Sequence, residues 1–211
     1  LSDLQEKVTI YTTPLVFFTL ELNTIEDDAY AALFTASDEL ARYKPAFDRI
    51  RAMKPYQLSD ELERFLHDMG VVGDAWMKLF DETIAGLSFT IDGEELPIES
   101  TLTLLTEQDR SKREAAAHEL ARVFGENIRT FARVHNTQAK EKEIMDRWRG
   151  MPSAQMGRHL SNDVEPEVVE ALRDAVVAAY PRLSHRYYEL KRKWLGLDVM
   201  QVWDRNAPLP M

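Results

Sequence analysis

Apolar residues recur at intervals of three and four along almost the whole chain, the period of a helix with one buried side. Leu4, Val8 and Tyr11 start the pattern, and Leu15, Phe18, Leu20 and Leu22 resume it beyond Pro14. Proline lacks an amide donor and clashes with the preceding turn, so a kink or a pair of helices is expected there. Thr24 is the expected cap of the next helix, with Asp27 three residues on as a variant capping box. Its buried side would carry Tyr30, Leu33, Phe34, Leu40 and Tyr43. Pro45 suits a first helical turn, Phe47, Ile50 and Met53 continue the stripe, and Pro55 ends it. Ser59 or Asp60 opens a further helix bearing Leu62, Phe65, Leu66 and Met69. Gly70 and Gly73 are expected to loosen its middle before Trp76, Leu79, Phe80, Ile84 and Leu87.

From Leu87 to Ile91 the period falls to two, the alternation of a strand, and Asp92-Gly93 is a two-residue hairpin signal. Leu96-Pro97-Ile98 is the expected return strand, with Pro97 confining it to an edge. Helical periodicity then returns. Thr106 is expected to cap a long helical region, with Asp109 at its third position and Leu120, Phe124, Ile128 and Phe131 on the core face. That region extends to about Arg149, with a local bend allowed at Gly125. Residues 150–164 read as loop. Pro166 opens another helix with Val168, Val169, Leu172, Val176 and Val177 inward, and Pro181 separates it from a final helix stopped by Gly196. The fold class is therefore mostly α, an irregular multi-helix bundle with one small β-hairpin near residues 87–98. The whole of 1–211 reads as a single helical region, divisible into 1–86, the hairpin 87–98, and 99–211.

Composition narrows the function classes. The 211 residues are 45% hydrophobic and 29% charged, a globular balance. There is no cysteine, which excludes disulfides and thiolate metal sites and suits a reducing, cytoplasmic setting. A net charge of −10 opposes nucleic-acid binding, which needs basic surface. The longest apolar run, Pro14 to Leu20, falls far short of the roughly 20 residues that cross a bilayer, so no membrane partner is expected. The chain starts at Leu1 without a basic signal-peptide region, and its Pro-containing, apolar tail (Trp203 to Pro210) does not read as a natural end. Both features suggest a piece of a larger protein.

Candidate chemistry is sparse. His118-Glu119-Leu120-Ala121-Arg122 approaches the zinc motif His-Glu-x-x-His, but Arg122 occupies the second histidine position and a cation cannot ligate zinc. Glu63 with His67, Glu114 with His118, and His185 with Glu189 are spaced one turn apart, as surface pairs commonly are. No two of His67, His118, His135, His159 and His185 fall three or four residues from each other. Neither a nucleophile elbow nor a phosphate loop occurs. Arg182, Arg186, Lys191, Arg192 and Lys193 alternate with Tyr187, Tyr188 and Trp194, a composition seen in single-strand nucleic-acid surfaces. Helical spacing instead places Tyr187, Leu190 and Trp194 near one face and the basic residues on a solvated opposite face. The residues alone support a soluble, acidic helical region with no catalytic or metal-ligating residue.

Several strings are more specific than their periodicity. Ser184 to Asp198, followed by Trp203-Asp204-Arg205-Asn206-Ala207-Pro208-Leu209, resembles a segment of oligoendopeptidase F, one of the thimet-oligopeptidase-like zinc metallopeptidases. Thr106 to Ala115 is similar to the family's Asp-Arg-x-x-Arg-x-x-Ala segment. Tyr11 to Glu21, Lys54 to Ser59 and the hairpin at Asp92-Gly93 fall in the family's order, so the resemblance is collinear over nearly the whole chain.

The resemblance implies an N-terminal, non-catalytic portion forming a wall of a substrate channel in a metalloendopeptidase that cleaves short peptides. Zinc, its His-Glu-x-x-His ligands and a further Glu would lie in a C-terminal catalytic portion of the same protein. There a zinc-polarised water would attack the peptide carbonyl with a Glu as general base. This chain alone would hold no cofactor and be inactive. The alternative is a stand-alone helical module that binds partner proteins without catalysis. A cut face would expose apolar residues, foremost Tyr187, Trp194, Trp203 and Leu209, and cause self-association.

Overall fold

The computed structural model describes residues 2–210, with the side chains of Ser2, Asp3, Gln5 and Glu6 outside the described set. Leu1 and Met211 also lie outside it. The described chain is mostly helical, with a single two-stranded antiparallel hairpin. Pro14 divides the first stretch as its chemistry requires: α1 (Ser2–Thr12), a 3-10 turn at Thr13–Leu15, then α2 (Val16–Thr24). There follow α3 (Asp27–Ala36), α4 (Asp38–Ala41), α5 (Lys44–Arg51) and α6 (Asp60–Ala85). After the hairpin come α7 (Ile98–Leu104), α8 (Arg110–Glu126), α9 (Ile128–Arg149), α10 (Met156–Asn162), α11 (Pro166–Ala179) and α12 (Ser184–Trp194).

Caps differ from expectation wherever a better acceptor lies nearby. Thr24 is the last residue of α2 and donates its hydroxyl back to the Glu21 carbonyl, while Glu26 precedes α3 without a side-chain cap. Asp109, not Thr106, caps α8: its carboxylate accepts a hydrogen bond from the Ser111 amide, and Thr106 donates to the Thr103 carbonyl in the turn after α7. Asp92 (φ 55°) and Gly93 (φ 82°) are both left-handed, the signature of a type I′ turn. That geometry sets the register, pairing β1 (Phe89–Ile91) with β2 (Glu94–Leu96) so that Phe89 faces Leu96. The return strand thus begins earlier than expected, and Pro97 leaves it to precede α7.

Three expected breaks also move. Gly70 and Gly73 do not interrupt α6, which runs unbroken for 26 residues. At Gly73 a Cβ would come within 3.1 Å of Glu141 Oε1, so the glycine admits the α9 side chain. The long region after Asp109 breaks at Asn127, which ends α8 two residues beyond Gly125. Residues 150–164 are not all loop, since α10 occupies half of them.

The chain forms two compact units. One comprises residues up to Trp76 together with Thr137–Val169, the other Met77–Asn136 together with residues from Glu170 onward. In the first, α2 contributes buried Leu20 and Leu22, and Phe18, Phe34 and Phe47 stack at centroid distances of 6.0–6.4 Å. In the second, the core is Phe89, Leu120 and Val123, wrapped by Leu87, Ile98, Leu105 and Phe124. Phe124 meets both Phe89 and Phe131 edge-on at 5.9 Å. These aromatic pairs tie the hairpin to α8 and α9.

Candidate functional site

The densest polar cluster joins two of the strings singled out in the sequence. Asp204, in a 3-10 turn at Val202–Asp204, has no exposed surface. Arg110 grips its carboxylate with Nε and Nη2, both at 3.0 Å, and Arg113 donates Nη2 at 3.0 Å. The Gln201 amide adds a fourth donor at 2.9 Å. Two arginines one helical turn apart on α8 can reach one carboxylate because residues i and i+3 share a face. Burial by itself would raise the Asp204 pKa; the hydrogen bonds from Arg110, Gln201 and Arg113 outweigh it and hold the group at about 2.

Arg113 is only 3% exposed, and its Nη1 and Nε donors are bonded as well. Nη1 bonds the Glu107 and Gln108 carbonyls, and Nε the Trp203 carbonyl. One guanidinium therefore fixes the entry to α8 and the turn that carries Asp204. Lys191 of α12 is also buried and donates to the Arg205 carbonyl at 2.7 Å. Burial pulls its pKa below the usual lysine value. Together these bonds clasp α8, α12 and the segment 201–207 within the second unit. The geometry is saturated: every carboxylate oxygen of Asp204 is bonded, leaving none free to act on a substrate.

The His118–Arg122 segment has a different task from the zinc motif it approaches. Glu119 accepts the Thr90 amide at 2.8 Å and pairs with Arg122, which together hold its pKa at about 2. It thereby anchors β1 to α8. His118 packs against the Trp203 ring, 5.2 Å between centroids, with Glu114 Oε1 at 3.8 Å. Of the other turn-spaced pairs, Glu63 bonds Arg149 and His67 lies 3.1 Å from Thr12 Oγ1, while Glu189 pairs with Arg192. Zinc is implied by the family resemblance, but the residues here do not fit it. Among the described residues no three His, Asp or Glu side chains are placed to hold a metal, and the near-motif offers one histidine beside a cation. No step through zinc is assigned to this chain.

The expected inward face of α11 is corrected, whereas Tyr187 and Trp194 of α12 are exposed as expected. Val168, Leu172, Val176 and Val177 of α11 are exposed, and so are Tyr187, Tyr188, Leu190 and Trp194 of α12. It is a basic residue, Lys191, that is buried. Trp194 is 51% and Val202 76% exposed, and Leu209 is also exposed, whereas Trp203 is half-buried.

The first unit holds a second network. Arg51 is buried, lies over the Tyr30 ring at 4.2 Å and donates to the Leu22 and Ile25 carbonyls and to Asp27. The Tyr30 hydroxyl donates to Asp48; burial, then that carboxylate, raise its pKa to about 12. Arg149, closing α9, pairs with both Glu63 oxygens at 2.6 and 2.9 Å. Beside this pair lies a cleft of about 290 Å³ between α2 and α5.

Comparison with known proteins gives a consistent picture. A family model described as Oligopeptidase F matches residues 21–89. Group B oligopeptidase PepB of Streptococcus agalactiae is 26% identical over 200 residues, covering 92% of this chain and 33% of that protein. An oligoendopeptidase F homolog of Lactococcus lactis gives the same identity and coverage. The crystal structure of oligoendopeptidase-F from Enterococcus faecium superposes with a TM-score of 0.81 at 28% identity, over 98% of this chain and 42% of that one. The chain thus spans about a third of the length of the curated relatives it matches. The resemblance to the N-terminal portion of oligoendopeptidase F, carried by the strings quoted above, is borne out.

Proposed function

We propose that this chain is the non-catalytic wall of the substrate channel in a cytoplasmic zinc metalloendopeptidase that hydrolyses short peptides. Zinc and the reacting groups belong, on this reading, to a catalytic portion of the same protein outside the chain. The observation that carries the reading is the fit of 98% of the chain onto less than half of an oligoendopeptidase-F structure. The saturated Asp204 clasp agrees with a structural role: it fixes helices and turns and leaves no unoccupied acid, base or nucleophile. The exposed apolar residues of α11 and α12 supply surface against which the catalytic portion can pack.

The test is a peptide-cleavage assay on the isolated chain, with zinc content measured alongside. Neither cleavage of a fluorogenic oligopeptide nor stoichiometric zinc is expected from the chain alone. Both are expected from a longer protein that contains it. Tight zinc binding by the isolated chain, lost in His118→Ala, would overturn the reading. So would a longer protein that binds partner proteins but cleaves no peptide, the outcome for a helical interaction module.

A further inference from the structure

The cleft in the first unit is built from two chemically distinct parts. Its walls are aliphatic: Val16 and Leu20 from one face of α2 oppose Ile50 from α5 and Met53 just beyond it. Its polar end carries two carboxamides, Asn23 and Gln57. Val16, Leu20 and Asn23 share a face because they are spaced four and three apart, so α2 presents the aliphatic wall and the carboxamide in one row.

Each charged residue of the lining has an ion-pair partner, and for Arg49 that partner, Asp163, lies outside the lining. Glu63 is paired in both oxygens with Arg149, and Arg49 with Asp163 at 3.1 Å. An ionic ligand would therefore find no unmatched charge to meet. Asn23 is 7% exposed; its Nδ2 donates to Gln57 Oε1 at 2.6 Å, and its Oδ1 is buried with no partner among the described residues. Buried acceptors are almost always satisfied, so an orphan acceptor on a residue that lines a cleft offers a place for a ligand's donor once the carboxamide turns toward the cleft. Small-molecule sites share this make-up of aliphatic walls with few convergent polar groups, and a volume near 300 Å³ is at their lower end.

We propose that this cleft binds a neutral, amide-bearing aliphatic group, the chemistry of one leucine-like residue within a peptide. The aliphatic side chain lies between α2 and α5, and the amide N–H reaches Asn23 through a small rotation of the carboxamide. This site uses none of the clasp residues and does not depend on the peptidase reading.

The experiment is a titration of the 15N-labelled chain with N-acetyl-leucinamide, followed by amide shifts. Saturable shifts concentrated at residues 16–23 and 49–57 and around Glu63 and Arg149 are expected. Asn23→Leu should weaken binding at least tenfold, and Met53→Trp, which fills the cleft but keeps both carboxamides, should abolish it. N-acetyl-leucinate, the anionic counterpart, should bind several-fold more weakly. Absence of saturable shifts, affinities unchanged in both variants, or equal binding of the anion would each overturn the proposal.

Discussion

Asp204 sits where desolvation and charge pairing act most strongly against each other. Removing it leaves Arg113 buried without its counter-charge, so Asp204→Ala should cost about 3–5 kcal/mol of unfolding free energy in urea titrations. Arg110→Ala should cost far less, because that side chain is 41% exposed and water can replace it. The pH dependence follows from the same carboxylate. Its folded pKa of about 2 lies below the ordinary aspartate value, so the unfolded chain binds the proton more tightly. The contribution, on the order of 2–3 kcal/mol, is present above about pH 4 and is lost as pH falls through about 2. Comparing urea midpoints of the wild type and Asp204→Asn across that range checks it: the gap should hold near neutrality and narrow below about pH 4. In the sequence, the Asp-Arg-x-x-Arg string and the Trp-Asp string are 94 residues apart, and nothing in their spacing says that they meet.

At the scale of elements, the hairpin is short and depends on what it leans against. Three paired residues do not make a stable ribbon, so the Phe89 contacts and the Glu119 bond to the Thr90 amide must hold it. Glu119→Ala should speed hydrogen exchange at Thr90 well ahead of exchange in α8, as read by amide NMR. Gly70 gives the complementary case within α6. No atom lies within 4 Å of a Cβ placed there, so Gly70→Ala should raise stability by about 0.5–1 kcal/mol in thermal unfolding. Periodicity located the helices well because it reports a local repeat of side-chain positions. Caps were less legible, because Thr106 and Asp109 compete for the role at α8, and Thr24 and Thr106 each turn their hydroxyl back to a local carbonyl instead of capping. The continuity of α6 through two glycines was equally hidden, since each costs only about 1 kcal/mol and packing over 26 residues overrides it.

For the molecule as a whole, Leu172, Val176, Leu183, Tyr187, Trp194 and Val202 are all exposed, and exposed apolar surface promotes association. Sedimentation velocity over a range of concentrations should show self-association of the isolated chain, and Trp194→Glu with Val202→Asp should reduce it. A strictly monomeric wild type at high concentration would contradict this. Among the described residues no helix is long and apolar enough to cross a membrane. Hydrophobic period, proline placement and the Asp-Gly turn were enough to give a helical chain with one hairpin, because each acts within a few residues. The quoted strings were enough to point to oligoendopeptidase F. Tertiary structure alone decided that Lys191 and Arg113 are inside while Val168 and Leu172 are outside. A helical stripe tells which side is apolar, but only the neighbours packed around it determine whether that side is covered, and a charged residue goes inside when distant carbonyls and carboxylates satisfy it.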